Sequence, residues 1–354
     1  MHCKIGTVLL LLYVDDIIVT GSHTALISEI IDELGKEFAM KDLGSLHFFL
    51  VIEVTYFTGG IHLNQSKYAT ELLAKTGMAL AKPISTPLAQ KHGLQEAVDD
   101  PVDASLYNSV VGSLQYLTLT RLDIAHAVNL ARQFMQSPNN THYQVVKRIL
   151  RYVKGTTEYG LRILSQSPFR LYGFSDADWE ECPMTRRSTT GYNVYLGANC
   201  ISWTSKKQHI VARFSAKAEY RALASTTAEM TWITYILNDI GVHLKTVPTL
   251  FYDNLSALYM TVNPVMHART KHVEMDYHFV REKVVSGQLV TRFVRSKDQL
   301  ADIHTKALTK QMFAGFRSKL GVVTTPLTSL RGSVEEVDHD KDKSELDNHS
   351  YNVL

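Results

Sequence analysis

The order of apolar runs in the second half of the chain most constrains its fold. Arg170–Ser175, Tyr192–Leu196 and Ile201–Thr204 are short strand-like segments separated by turn residues, the pattern of an antiparallel meander. A long helix then starts at Ser215, a residue suited to cap it, and ends before Gly241. Glu219, Leu223, Thr227, Met230, Ile233 and Leu237 fall on one face of that helix, so Glu219 points inward in its first turn. Thr249–Tyr252 is an apolar strand, a helix spans roughly Met275–Val285 up to Gly287, and Gln288–Val294 is a last strand. A further helix is expected to begin near Asp298. Three strands, helix, strand, helix, strand, helix specifies an α/β unit, a mixed sheet covered by helices.

The first half is patterned differently. Val8–Tyr13 reads as a buried strand, Val14-Asp15-Asp16 as a tight turn, and Ile17–Thr20 as the returning strand of a hairpin. Ile27, Ile30, Ile31, Leu34 and Phe38 have helical spacing. Strand-like runs at His47–Val54 and Gly60–Leu63 precede a helix over Ser66–Lys75. Ala79–Asp103, with Pro83, Pro87 and Pro101, reads as an extended connector. From Ser105 to Val153 the pattern is helical, with Val145, Val146, Ile149, Leu150 and Val153 on one side near its end. Lys147, Arg148, Arg151 and Lys154 occupy the other side, either as a stripe that tracks a phosphate backbone or as a solvated face.

Four acids stand where a strand ends or a helix begins: Asp176, Glu219, Asp253 and Asp302. Carboxylates gathered in space repel, and a site that gathers them normally holds divalent metal. Two magnesium ions about 3.5–4 Å apart can drive in-line attack of water on a phosphodiester. Singly, each acid has a plainer reading: Glu219 and Asp302 as acids favoured by a helix dipole, Asp253 as an Asx-turn. Asp178, two residues beyond Asp176, competes for the same side of the strand. The metal reading requires the four carboxylates to meet at one rim. A lysine ammonium buried among them would contradict it.

The formal charge of +2 leaves any nucleic-acid surface to local patches. Arg186, Arg187, Lys206 and Lys207, read as loop residues, are candidates for phosphate contacts or are plain surface charge. Cys3, Cys182 and Cys200 form neither a disulfide framework nor a zinc site, which fits a reducing compartment. The membrane-like stretch Val8–Leu12 is too short to span a bilayer. No membrane partner is expected, and a cytoplasmic or nuclear location is. His267, His272 and His278 lie near the helix after Asp253, and His272 is a candidate proton carrier.

Several blocks in series carry a resemblance: Tyr13-Val14-Asp15-Asp16, Gln65-Ser66-Lys67-Tyr68-Ala69, Lys147-Arg148-Ile149-Leu150-Arg151-Tyr152, Ser175-Asp176-Ala177-Asp178-Trp179, Ala218-Glu219-Tyr220 and Asp298-Gln299-Leu300-Ala301-Asp302. From Leu9 to about Val322 the chain resembles the carboxy-terminal part of the Pol polyprotein of copia-type long-terminal-repeat retrotransposons. The resemblance implies a truncated reverse transcriptase palm remnant over 1–90 and a helical thumb or connection region over 91–165. It further implies a ribonuclease H-like domain over 166–322, followed by an acidic, disordered tail over 323–354. The implied activity is cleavage of the RNA strand of an RNA–DNA hybrid, with full-length retroelement Pol products as further partners. Asp176, Glu219, Asp253 and Asp302 would be both the catalytic acids and the ligands of two Mg2+ ions, with Mn2+ as a substitute.

By the same resemblance Asp15 and Asp16 belong to the polymerase box. Too little chain precedes Tyr13 for the remaining polymerase parts, so polymerase activity is expected to be absent. Several positions depart from the family's usual pattern: Lys217 for Glu, Phe214 for Ser, Glu180-Glu181 for Ala-Gly, Leu122 for Pro and Val51 for Gly. The alternative is therefore a catalytically inactive remnant with residual nucleic-acid binding.

Overall fold

The computed structural model describes residues 2–3, 6–91, 93–94, 99–179, 185–256 and 274–325. Strands β1 (His2–Cys3), β2 (Gly6–Tyr13) and β3 (Asp16–Gly21) form an antiparallel sheet, with Tyr13 opposite Asp16 across the Val14-Asp15 turn. Helix α1 (Thr24–Glu37) packs on this hairpin but buries none of its own residues. The expected buried strand is therefore corrected: Val8 is buried, whereas Leu10, Leu11, Leu12 and Tyr13 are more than half exposed. An unbroken apolar run suits a strand covered on both faces, and α1 supplies too little cover.

Strands β4 (Phe48–Phe49), β5 (Ile52–Phe57) and β6 (Gly60–Asn64) lead into α2 (Ser66–Lys75), whose bounds are those expected from the sequence. Between β4 and β5, Leu50 and Val51 take φ of +48° and +66°. This left-handed region costs a side-chain-bearing residue about 1–2 kcal/mol. Val51 thus occupies a conformation suited to the Gly that the resemblance leads one to expect there. The helical region divides into α3 (Ala104–Leu117), α4 (Ala125–Arg132) and α5 (Asn140–Lys154). Asn139 and His142 close a capping box at the start of α5, satisfying two otherwise orphaned amides. Tyr107, Val111, Leu114, Ile149, Leu150 and Val153 are fully enclosed in the core between these helices.

After β7 (Tyr159–Leu164) come β8 (Leu171–Ala177), β9 (Thr189–Leu196), β10 (Asn199–Lys207), α6 (Ser215–Asp239), β11 (Thr249–Tyr252), α7 (Glu274–Val285) and β12 (Val290–Phe293). Their sheet runs β10-β9-β8-β11-β12, with β8, β9 and β10 antiparallel and β11 and β12 both parallel to β8. This is the mixed sheet covered by helices that was expected. Helix α6 covers β8 and β9, burying Leu223, Thr227, Met230, Ile233 and Leu237. Phe214, not Ser215, is its cap residue, and no side chain caps it.

Two short 3₁₀ turns, Ser296–Asp298 and Leu300–His304, stand where a longer helix was expected. Helix α8 (Lys310–Lys319) and β13 (Val322–Thr324) follow. The second sheet runs β13-β7-β6-β5-β4, antiparallel throughout. Because Val322 pairs with Leu161, the segment after the acidic residues is tied back to strands of the first half. Leu300, Ile303, Phe313 and Phe316 enter the same core as α3–α5. The turn carrying Asp302 is consequently anchored from below.

Candidate active site

Asp176 is the penultimate residue of β8 and is 1% exposed. Parallel pairing of Phe251 with Phe174 places Asp253, one residue beyond β11, at the same sheet end. Glu219, in the second turn of α6, reaches back to accept a hydrogen bond from the Ala177 amide at 3.2 Å. Asp176, Glu219 and Asp253 each offer an oxygen, and these three atoms lie within 4.8 Å of one another. Among the described residues no other group of three acidic or metal-ligating side chains meets that criterion.

Gly191 makes room for the fourth acid. It pairs with Asp176 across the sheet, and a Cβ there would lie 2.5 Å from Thr305 Cγ2 and 2.9 Å from His304 Cβ. Glycine therefore lets the Leu300–His304 turn lie flat on the sheet. Thr305 Oγ1 donates a short hydrogen bond to Asp176 Oδ2. Lys306 Nζ lies 2.7 Å from Asp302 Oδ1 and 3.3 Å from Asp176 Oδ1. Ser296 Oγ donates to Asp253 Oδ2 at 2.8 Å. A cavity of about 390 Å³ opens over Asp176, Glu219, Asp253, Asn254, Phe293 and Lys306.

The electrostatics are those of an under-neutralised cluster. Burial, reinforced by the charges of Asp176 and Asp253, pushes the Glu219 carboxyl up to about 9. Burial and then Asp176 push Asp302 up to about 7. Asp176 is raised by burial despite the opposing pull of Lys306 and Thr305. Burial works against the Lys306 ammonium, but the neighbouring carboxylates outweigh it and hold the proton. The ammonium is thus partly buried among the acids, its side chain 42% exposed, so the condition set against the metal reading is met in part. Asp302 meets the other three acids across this lysine rather than by sharing an ion-sized space with all of them.

Other predicted residues fall in varied places. Asp178 accepts a short hydrogen bond from the Thr189 amide and so serves the β8–β9 connection, leaving Asp176 in the cluster. Lys217 has Arg221 and Arg213 as its charged neighbours, so the departure there adds to a cationic patch. Lys206 and Lys207 are not loop residues: both belong to β10, opposite Thr190 and Thr189, because the strand runs three residues past its apolar stretch. Lys207 Nζ donates to Gln133 Oε1 at 2.6 Å, while Lys206, Arg186 and Arg187 are exposed.

On α5, Lys147 sits over the Tyr143 ring at 4.8 Å and Arg151 donates to the Lys82 carbonyl at 2.8 Å. Lys154 is half-buried at the helix end. The stripe is therefore partly engaged with the connector it packs against. Asp15 and Asp16 are exposed at the hairpin tip. His267, His272, Glu180, Glu181 and the acidic tail beyond residue 325 lie outside the described residues.

Lys306, Thr305 and Ser296 were missed by sequence reasoning. The first had a signal: Asp302 and Lys306 stand four apart, the spacing at which opposite charges pair.

Residues 1–90 match the family described as reverse transcriptase (RNA-dependent DNA polymerase). The chain is 45% identical over 323 residues to the Retrovirus-related Pol polyprotein from transposon RE1 of Arabidopsis thaliana, an alignment covering 90% of this chain and 22% of that protein. It is 48% identical over 223 residues to an uncharacterized mitochondrial protein of the same plant, covering 63% of this chain and 93% of the relative. Among solved structures, the foamy viral protease-reverse transcriptase in complex with RNA/DNA hybrid aligns over 92% of this chain and 38% of its own length, at 10% identity and a TM-score of 0.46. The chain thus spans about a fifth of the length of the first polyprotein it matches. Among the described residues, no helix is long and apolar enough to cross a membrane. At 45% and 43% identity over 90% of its length, this chain is a homologue of the copia-type retrotransposon Pol polyproteins.

Proposed function

We propose that this chain carries a ribonuclease H activity, hydrolysing the RNA strand of an RNA–DNA hybrid with divalent metal. The observation that carries the reading is the convergence of Asp176, Glu219 and Asp253 within 4.8 Å on the floor of an open cavity. Hard carboxylate oxygens are the donors that Mg2+ and Mn2+ prefer. The raised carboxyl groups of Asp176 and Glu219 further support it, because a bound dication relieves their repulsion. Asp176, Glu219 and Asp253 would hold one ion, and Asp176 with Asp302 is the remaining pair for a second. Such ions supply an acidified water and neutralise charge developing on the phosphate.

The protein's own groups do the positioning. Thr305 and Ser296 fix the rotamers of Asp176 and Asp253, and the Ala177 amide fixes Glu219. Lys206, Arg186 and Arg187 are exposed, and we assign them to contact with phosphates of the duplex. Recognition would rest on duplex shape and 2′-hydroxyls, giving little sequence preference. We keep the partition into regions 1–90, 91–165 and 166–322 but move the expected start of the tail from 323 to beyond Thr325, because β13 (Val322–Thr324) pairs with β7, and assign Asp15 and Asp16 no part in cleavage. His272 stays a candidate proton carrier.

The second reading, a folded remnant that binds nucleic acid without cutting it, is favoured by the Lys306 ammonium between Asp176 and Asp302. A labelled RNA–DNA hybrid separates the two. The proposal expects RNA-strand cleavage with Mg2+ that stops with chelator and in Asp253→Asn. Binding of the hybrid by folded protein with no cleavage in Mg2+ or Mn2+ would leave the remnant reading standing.

A further inference from the structure

Lys306 occupies the one place in the cluster where an acid pair lacks a third carboxylate. Its ammonium bridges Asp302 Oδ1 and Asp176 Oδ1, at 2.7 and 3.3 Å, so a divalent ion shared by those oxygens must first displace it. The side chain is 42% exposed and borders the cavity, which gives it a path outward without unfolding its surroundings. Its anchorage is short-range: the Lys306 amide donates to the Asp302 carbonyl at 2.8 Å, so the backbone stays fixed while the four-carbon stem turns. On the other side of Asp176, no ammonium of a described residue forms an ion pair with Glu219 or Asp253.

We propose that Lys306 is a positioning residue that acts as a built-in, displaceable counter-ion. In the nucleic-acid-free protein it holds the second cation's place, so the site binds a single divalent ion at Asp176, Glu219 and Asp253. For those oxygens to hold a second ion, the ammonium would have to leave for the cavity mouth, where a duplex phosphate could receive it. This rests on the metal-dependent reading above and adds to it a regulation of ion occupancy. The lysine keeps Asp302 and Asp176 from repelling each other before substrate arrives, and makes full loading depend on a phosphate to take up the released ammonium.

The test is Mn2+ titration of the full chain without nucleic acid, followed by calorimetry and by the electron paramagnetic resonance signal of free Mn2+. Wild type is expected to bind one ion per chain. Lys306→Met and Lys306→Gln are expected to bind two, with the second site tightened at least about tenfold, the scale on which groups around a metal tune its affinity. Lys306→Arg should return the count to one. Two comparable sites in wild type, or a single site in both neutral variants when they melt as wild type does, would overturn the inference and leave the metal reading intact. No ion bound by wild type or any variant would remove the metal reading, and this inference with it.

Discussion

Two regions of the molecule enclose charge, and they do so in opposite ways. In the helical region, fully buried Arg121 donates from Nε and Nη2 to both oxygens of Asp123 at 2.9 Å, and from Nη1 and Nη2 to Thr156. Tyr152 donates to the same aspartate, and Arg317 donates to Tyr152 at 3.1 Å. Every nitrogen of the Arg121 guanidinium has a partner, and its charge is matched by that of Asp123. At the end of the mixed sheet, one ammonium, Lys306, pairs with Asp176 and Asp302, while Asp176, Glu219 and Asp253 face a cavity. The first arrangement is closed and needs nothing from outside. The second crowds carboxylates on an open side, where burial and then mutual repulsion raise their hold on protons.

Breaking the closed region should give the largest effect on stability. Arg121→Met leaves Asp123 buried without its counter-charge and should cost about 3–5 kcal/mol of folding free energy, read from denaturant unfolding. A loss below about 1 kcal/mol would mean that the two regions do not differ in kind. In the open region the balance reverses. Asp176→Asn should lower hybrid cleavage by about 10²–10³-fold, the scale for removing one preorganised electrostatic group. It should leave the ion-free protein at least as stable as wild type, because it removes a repelling charge. Marked destabilisation by that variant would assign Asp176 to structure.

The comparison sharpens further with pH. Glu219 and Asp302 have folded-state values raised to about 9 and about 7, so folding favours their protonated forms. Their contribution is complete below the ordinary carboxylate range of about 4 and declines as pH rises through about 7 and then about 9. Asp123 behaves oppositely. Burial would raise its carboxyl, but Arg121, Tyr152 and Arg317 together hold it low, so its contribution is present at neutral pH and lost on acidification. Ion-free protein should therefore melt at falling temperature from pH 5 to 9, and Mg2+ should restore most of the loss at the alkaline end. A flat profile in both conditions would argue against surplus charge in the sheet-end cluster.

Much of this arrangement was legible in the sequence, for physical reasons. Short strands of a mixed sheet announce themselves by apolar runs, and Thr249–Tyr252 has the bounds expected of it. The inward position of Glu219 followed from helical periodicity, since Leu223, Thr227 and Met230 below it are buried. Features set by tertiary contact were not legible. Lys206 and Lys207 extend β10 because Thr190 and Thr189 pair with them, although charged residues carry no strand signal. The turn at Asp302 is held by Gly191 beneath it and by Leu300 and Ile303 in the core, not by helical propensity. Val8–Tyr13 looked buried because composition reports apolarity, not the presence of a covering element. The ammonium of Lys306 among the acids is likewise a matter of spatial placement, hinted at only by its spacing from Asp302.

The central claim is that surplus negative charge at the end of the mixed sheet exists to hold divalent metal. Anomalous diffraction from crystals grown with Mn2+ tests it most directly. The account predicts a peak bounded by the carboxylates of Asp176, Glu219 and Asp253, with Lys306 still bridging Asp176 and Asp302 when no nucleic acid is bound. No peak beside those three side chains at saturating Mn2+ would contradict it.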